Sequence, residues 1–319
     1  MIRALLFAVA VSTSVTTLAH ATDFPTKPIR IINPTAAGSG IDTIVRYIGE
    51  QMQADWGHPG ILENYGGAGG IQGYQLAATA APDGYTILAA NVGPSSILPN
   101  LKKDLPYSDK DFIPLVPLLT QPNILVVPQK SEIKTVDDLI AYAKKNPQMT
   151  FATNGVGQSP HLAAELLKIT KGIDFKIVPY KGTAPALADV MGGHVDAMFG
   201  NTGVALPLVE SGQLRAIAVT SAERHPSLPN VPTMIEAGVK DFQVTVWVGM
   251  LARAGTPPDV IDKLNAEFTK ILATQKAKDL FKSVGVTPFP GTPAQFGEFI
   301  QTERAKWGDV IKKANIVIE

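Results

Sequence analysis

Few residues in this chain could do chemistry, and their spacing argues for holding a molecule rather than transforming it. Cysteine is absent, which excludes thiol nucleophiles, disulfides, thiolate zinc sites and lipid-modified cysteine anchors. His20 lies in a leader-like N-terminus, and His58, His161, His194 and His225 are too scattered in sequence to suggest a metal cluster. Ser159-Pro160-His161 sets a nucleophile close to a base. The nucleophile elbow G-x-S-x-G is missing, however, because His161 stands where its second glycine belongs. Neighbouring Ser and His do not by themselves bring Oγ onto the imidazole. Ser159 and Pro160 read better as the N-cap and first helical residue of "HLAAELLK". Asp42, in the first turn of another helix, reads as a carboxylate complementing the helix dipole. No catalytic residue, metal site or cofactor is expected.

Two glycine-rich stretches invite a phosphate reading and fail it. A P-loop requires Lys after its last glycine, and none follows Gly38 or Gly40 in "INPTAAGSGID" (32–42). The dinucleotide fingerprint would need glycine at position 43, which is Thr43, and "GGAGGIQG" (66–73) has Gln72 where its third glycine belongs. What survives is a pairing of "INPTAAGSGID" with "TNGVGQSPHL" (153–162), both strand–Gly-turn–helix units. Each offers small residues, backbone N–H groups, a helix N-terminus and hydroxyls (Thr35, Ser39, Ser159), and neither carries Lys or Arg. Such a turn can hold an anion. Open α/β sheets bind ligands at the carboxyl ends of their strands, so two domains facing each other could hold one small anion between both turns. Two ordinary strand-to-helix connections without a ligand fit the same residues.

The elements that must position these turns follow from patterning. Residues 1–21 carry Arg3, the apolar "ALLFAVAV" and a small-residue Ala19-His20-Ala21 site, and read as a secretory signal peptide cleaved after Ala21. No later stretch approaches the ~18 consecutive apolar residues of a spanning helix. Losing Arg3 with the leader leaves the 28 acidic residues one ahead of the remaining bases, which gives no sign of a nucleic-acid or membrane-surface partner. A chain of 319 residues exceeds one compact core and favours two domains. Ile41, Ile44, Val45, Ile48 and Met52 share one helical face, so the first turn opens a helix over 41–53. Strands are expected at 28–33, 61–64 and 85–90, with a further helix at 70–79. A second series places strands at 124–128, 149–153, 175–179, 195–199 and 214–220, alternating with helices near 135–145, 160–170, 184–191 and 203–210. Thr135 with Asp138 makes a capping box, and Gly212 is placed to end the helix before it. This alternation predicts an α/β fold of parallel, doubly wound sheets. A strand at 244–252 is followed by helices only, near 257–273, 276–283 and 294–314, which reads as a return to the first domain.

From about residue 24 to 317 the sequence closely resembles the periplasmic solute-binding receptors of tripartite tricarboxylate transporters, the Bug family or TctC-like proteins. "FPTKPIRII", the Pro34-to-Asp42 turn, "ENYGGAGG", "APDGYTIL", "VPYKGTAPAL", "SGQLRAIAVTS", "LPNVPTMIEAG" and "GTP" (255–257) carry the likeness in that order. The family's first turn typically looks like P-F-P-A-G-G-G-T-D. Here Thr35, Ala36, Ser39 and Ile41 depart from it, while Pro34, Ala37, Gly38, Gly40 and Asp42 agree. Tyr65 stands where Arg is usual, and Gly200 where Asp is common. The resemblance implies a type II periplasmic-binding-protein, or Venus-flytrap, fold of two doubly wound α/β domains with a ligand cleft between them. Domain 1 would comprise 22–122 plus 249–319, and domain 2 would comprise 123–248. It further implies a monomeric, non-enzymatic periplasmic protein that captures a small carboxylate and delivers it to the membrane permease subunits. A sensing receptor that presents its closed form to a signalling partner is the alternative, and a secreted hydrolase a distant third. Carried over by motif, one carboxylate would sit on Thr35, Ala36, Ala37, Gly38, Ser39, Gly40, Ile41 and Asp42. Gly69, Gly70 and Asn91 would line the same wall. Asn154, Gly157 and Ser159 would come from the second domain, with Tyr180 and Asn201 nearby. Lys181 is read as a solvated surface charge.

Overall fold

The computed structural model describes residues 23–38, 40–313 and 315–316; the signal-peptide expectation and Ser39 lie outside them. The first series runs β1 (Ile29–Asn33), α1 (Gly40–Trp56), β2 (Gly60–Asn64), α2 (Ile71–Ala78) and β3 (Thr86–Asn91). The chain then makes a buried π-helical turn at Gly93–Ile97 and a short α3 (Leu98–Leu101). β4 (Phe112–Pro128) leads into α4 (Val136–Lys145), β5 (Thr150–Thr153), α5 (Ser159–Lys171), β6 (Lys176–Pro179), α6 (Thr183–Met191), β7 (Ala197–Asn201), α7 (Thr202–Glu210) and β8 (Leu214–Val219). β9 (Thr245–Arg253), α8 (Pro258–Ala273), α9 (Gln275–Ser283), β10 (Thr287–Pro288) and α10 (Pro293–Lys313) complete it.

The periodicity-derived elements recur close to their expected bounds because their apolar faces are buried. Ile41, Ile44, Val45, Ile48 and Met52 of α1 are all buried against the first half of the sheet. Thr135 and Asp138 form the capping box that starts α4, with Asp138 N–H donating to Thr135 Oγ1 at 3.1 Å. Gly212 adopts φ 72° after α7, a left-handed conformation that glycine tolerates best.

Strands run in the order β2-β1-β3-β9-β4-β7-β5-β6, with β10 and β8 both paired to β4. Within each half the βαβ neighbours are parallel, as β1–β2, β1–β3, β5–β6 and β5–β7. The sheets are nevertheless mixed rather than purely parallel, because β4 and β9 pass between the halves and pair antiparallel to their neighbours. β4 exchanges partners midway: Phe112 to Pro122 pair with β9, and Asn123 to Pro128 pair with β7 and β8. β9 pairs with β4 over its whole length, from Thr245 to Arg253. The C-terminal region is not helices only, since β10 returns to pair with Leu119 and Thr120.

Among the described residues, three apolar clusters fill the structure. One lies between α1, α8, α9 and the first half-sheet, and another beneath α6 and α7. The third spans both halves, joining Tyr74 and Leu88 to Trp247 and to the ring series Phe175, Phe151, Phe199 and Phe242. Buried strands therefore support the two halves from beneath, and their strand-to-helix turns meet at a cleft.

Candidate functional site

The first turn is braced by Asp42. Its Oδ1 accepts from Asn33 Nδ2 at 2.7 Å and Asn64 Nδ2 at 2.9 Å, while its Oδ2 accepts from Gly38 N–H at 2.7 Å. Thr35 Oγ1 donates to Asn33 Oδ1 at 2.9 Å, and Asn64 Nδ2 also reaches Thr35 O at 3.4 Å. The buried carboxylate thus ties the ends of β1 and β2 to the loop. Gly66 fits edge-on against the same loop, since an added Cβ would stand 2.6 Å from Ala36 N.

On the opposite wall, Tyr180 N–H donates to Thr153 O at 2.8 Å, joining the turn after β6 to the end of β5. Tyr180 OH donates to Asp189 Oδ2 at 2.5 Å, and that carboxylate pushes the phenol up to about 12. His161 Nδ1 accepts from Gly157 N–H at 3.4 Å. Burial, with Lys168 adding to it, pushes the His161 imidazolium down to about 4, so near neutral pH the ring is an uncharged brace of its loop. Ser159 Oγ accepts from Asn123 Nδ2 at 3.5 Å, a long contact. The Ser159 hydroxyl and the His161 ring thus face different partners, Asn123 and Gly157, and the sequence neighbours do not make a nucleophile–base pair. Ser159 is the first residue of α5 rather than its cap; Gln158 occupies the N-cap position in extended backbone conformation.

Between the walls lies a cavity of about 370 Å³. Thr35, Ala36 and Ile41 line it at the start of α1, and Gly66 to Ile71 at the start of α2. Asn154, Gly155, Val156 and Gln158 line it before α5, Tyr180 to Thr183 at α6, and Asn201 at α7. Leu98, Pro34, Pro179 and Lys102 complete the described lining. Five helix N-termini therefore converge on one space. Among the described residues, Lys102 and Lys181 are its charged groups, and no carboxylate lines it. The carboxamide oxygens of Asn154 and Asn201 are buried without a hydrogen-bond partner among those residues. Helix N-termini and ammonium groups both favour negative charge, so the cavity is electrostatically suited to a small anion.

Of the residues expected at a site, Thr35, Ala36, Ile41, Gly69, Gly70, Asn154, Tyr180 and Asn201 come together around this cavity. Ala37 and Gly38 are solvent-exposed, Gly40 begins α1, and Asp42 is turned into the bracing network. Asn91 is buried behind the wall, its Oδ1 accepting from Gly93 N–H at 3.2 Å. Gly157 packs under Leu98, and Ser159 is buried outside the described lining. Two of the departures from the family pattern lie off the cavity. Tyr65 OH donates to Glu63 at 2.7 Å and accepts from Arg30 at 2.7 Å. Gly200 is enclosed by Ala205 and Leu187.

Sequence reasoning did not single out Gln158, Gly182 or Thr183, which also line the cavity, and it read Lys181 as a solvated surface charge. Lys181 is exposed but lines the cavity. "YKGTAP" offered a signal, because it is a third strand–Gly-turn–helix unit of the same kind as the two singled out.

Two α/β halves joined by traversing strands, with helix N-termini meeting at a shared cleft, define a periplasmic-binding-protein fold. Residues 44–316 match the tripartite tricarboxylate transporter family receptor, and the chain belongs to that family. It is 34% identical to Protein BugT of Bordetella pertussis, over 91% of this chain and 90% of that protein. The solved structure of R. palustris Rpa4515 with adipate aligns at TM-score 0.88 and 30% identity, covering 92% of this chain and 99% of that one. MatC (Rpa3494) from Rhodopseudomonas palustris with bound malate aligns at TM-score 0.86 and 30% identity, over 90% and 100% of the two chains.

Proposed function

We propose that this protein captures a small organic acid in the cleft between two lobes and hands it to the permease subunits of a tripartite tricarboxylate transporter. It works as a periplasmic monomer, released after cleavage following Ala21, and performs no catalysis. One lobe comprises 22–122 together with 249–319, and the other comprises 123–248. The observation that carries this reading is the described cavity lining: five helix N-termini and two lysines with no carboxylate. The adipate and malate in the two related structures support a carboxylate as the anion.

Recognition then rests on local dipoles and amides, with Lys102 and Lys181 at the rim. Thermal-shift screening against malate, adipate, aromatic acids, amino acids and nicotinate, followed by calorimetry, tests it. A carboxylate should raise the melting temperature and bind with roughly micromolar affinity, about −8 kcal/mol. Its amide should bind far more weakly, since it carries no negative charge for the helix ends and ammonium groups to meet. Equal binding of acid and amide would overturn the assignment.

A further inference from the structure

Gln158 occupies the N-cap position of α5 but makes no side-chain cap hydrogen bond to that helix. Its carboxamide leaves the helix and crosses the cleft, where Nε2 donates to Gly69 O at 2.8 Å. The residue is only 8% exposed, so the bond is shielded from water. Its seat is shaped on two sides by glycines of the opposite wall. Gly69 holds φ +66°, and an added Cβ there would stand 2.6 Å from Val156 O, beside Gln158 in the loop. Gly93, in the π-helical turn, lies so close that a Cβ would stand 2.8 Å from Gln158 Cδ. Beside it, the contacts of Leu98 over Gly157 and Ala36 against Gly182 are apolar. Those contacts tolerate sliding, whereas a hydrogen bond fixes both distance and direction.

We propose that Gln158 is a positioning residue that latches the two walls in the closed arrangement through the Gly69 carbonyl, with Gly93 providing the space its carboxamide needs. This rests on the reading of the cleft as the ligand site. The latch sets how long a captured ligand is held, and Gln158 need not touch the ligand to do so.

The absence of cysteine permits a clean test. Cysteines placed at the exposed Asp104 and Lys176, on opposite sides of the cleft, carry a donor and an acceptor dye for single-molecule energy transfer. Wild type, Gln158→Leu and Gly93→Ala are compared without ligand, with malate and with adipate, alongside melting temperatures. Gln158→Leu approximates the bulk of the side chain and removes the donor, whereas Gly93→Ala keeps the donor and pushes it aside. The closed-to-open ratio should fall roughly two- to ten-fold in Gln158→Leu, the range set by one net hydrogen bond. Gly93→Ala should fall in the same direction, with the Gln158→Leu melting temperature unchanged. Unchanged ratios in Gln158→Leu, or a wild type with no closed population under any condition, would overturn the latch. If neither acid shifts the wild type while Gln158→Leu still opens it, the latch stands and neither malate nor adipate is the ligand.

Discussion

Glycines at the seam carry their meaning through what a methyl group would strike. At Gly69 an added Cβ meets a carbonyl oxygen of the opposite wall, and the backbone there is left-handed. Gly69→Ala should cost the fold about 1–2 kcal/mol through that conformation. It should also obstruct closure, lowering affinity for the best carboxylate at least about tenfold, or ~1.4 kcal/mol. Calorimetry and thermal melts on one sample separate the two effects. Gly38, at φ +88° with no neighbouring atom within 4 Å of where a methyl would stand, is a weaker probe, since only strain opposes substitution there. His161 makes a second residue-scale prediction. Unfolded imidazole takes up its proton near 6.5, and the folded one not until about 4. Its contribution is therefore present in full above about pH 6.5 and is lost as the pH falls toward 4. Urea unfolding of wild type and His161→Gln at about pH 7 and about pH 4.5 should differ in that drop by on the order of 2 kcal/mol, with the variant losing less. Equal drops would show that the ring does not titrate as its burial requires.

At the scale of elements, the helices and parallel strands were legible because each buries one regular face. α4 illustrates it: Val136, Leu139 and Ala143 are buried, and Thr135 starts the helix with a reciprocal cap. Thr135→Ala should cost about 1 kcal/mol, read as a shift of the urea midpoint at unchanged slope. The first half of β4 was not legible. Pro114, Pro117 and Pro122 interrupt it, and proline normally argues against a central strand. The strand accommodates them with register shifts between Pro114 and Val116 and between Pro117 and Leu119. Its pairing with β9 is long-range, so no local pattern announces it. The same limit applies at the cleft. Glycine-rich turns could be found because backbone geometry leaves a mark in sequence, and three of them do meet around the cavity. Gln158 could not, because its partner Gly69 lies 89 positions away and its role depends on the two walls approaching.

For the whole molecule, the balance between buried dipoles and exposed charge decides how the ligand is held. The cavity collects the N-termini of α1, α2, α5, α6 and α7, while Lys102 and Lys181 sit exposed at its edge. A helix end contributes roughly 0.3–1 kcal/mol per charge when exposed and up to ~2 when partly buried. An exposed ion pair adds only about 0.2–1 kcal/mol and is screened by salt. Contacts inside a closed cleft lie within less than one Debye length of the ligand, about 10 Å at 0.1 M salt, and exclude most ions. Affinity for the best carboxylate should therefore fall only a few-fold, roughly 0.5–1 kcal/mol, between low and high salt. Lys102→Ala and Lys181→Ala together should remove most of that dependence while leaving most of the affinity. Calorimetry of wild type and the double variant across a salt series checks this. If the double variant loses nearly all affinity, the lysines, and not the converging helix ends, hold the anion.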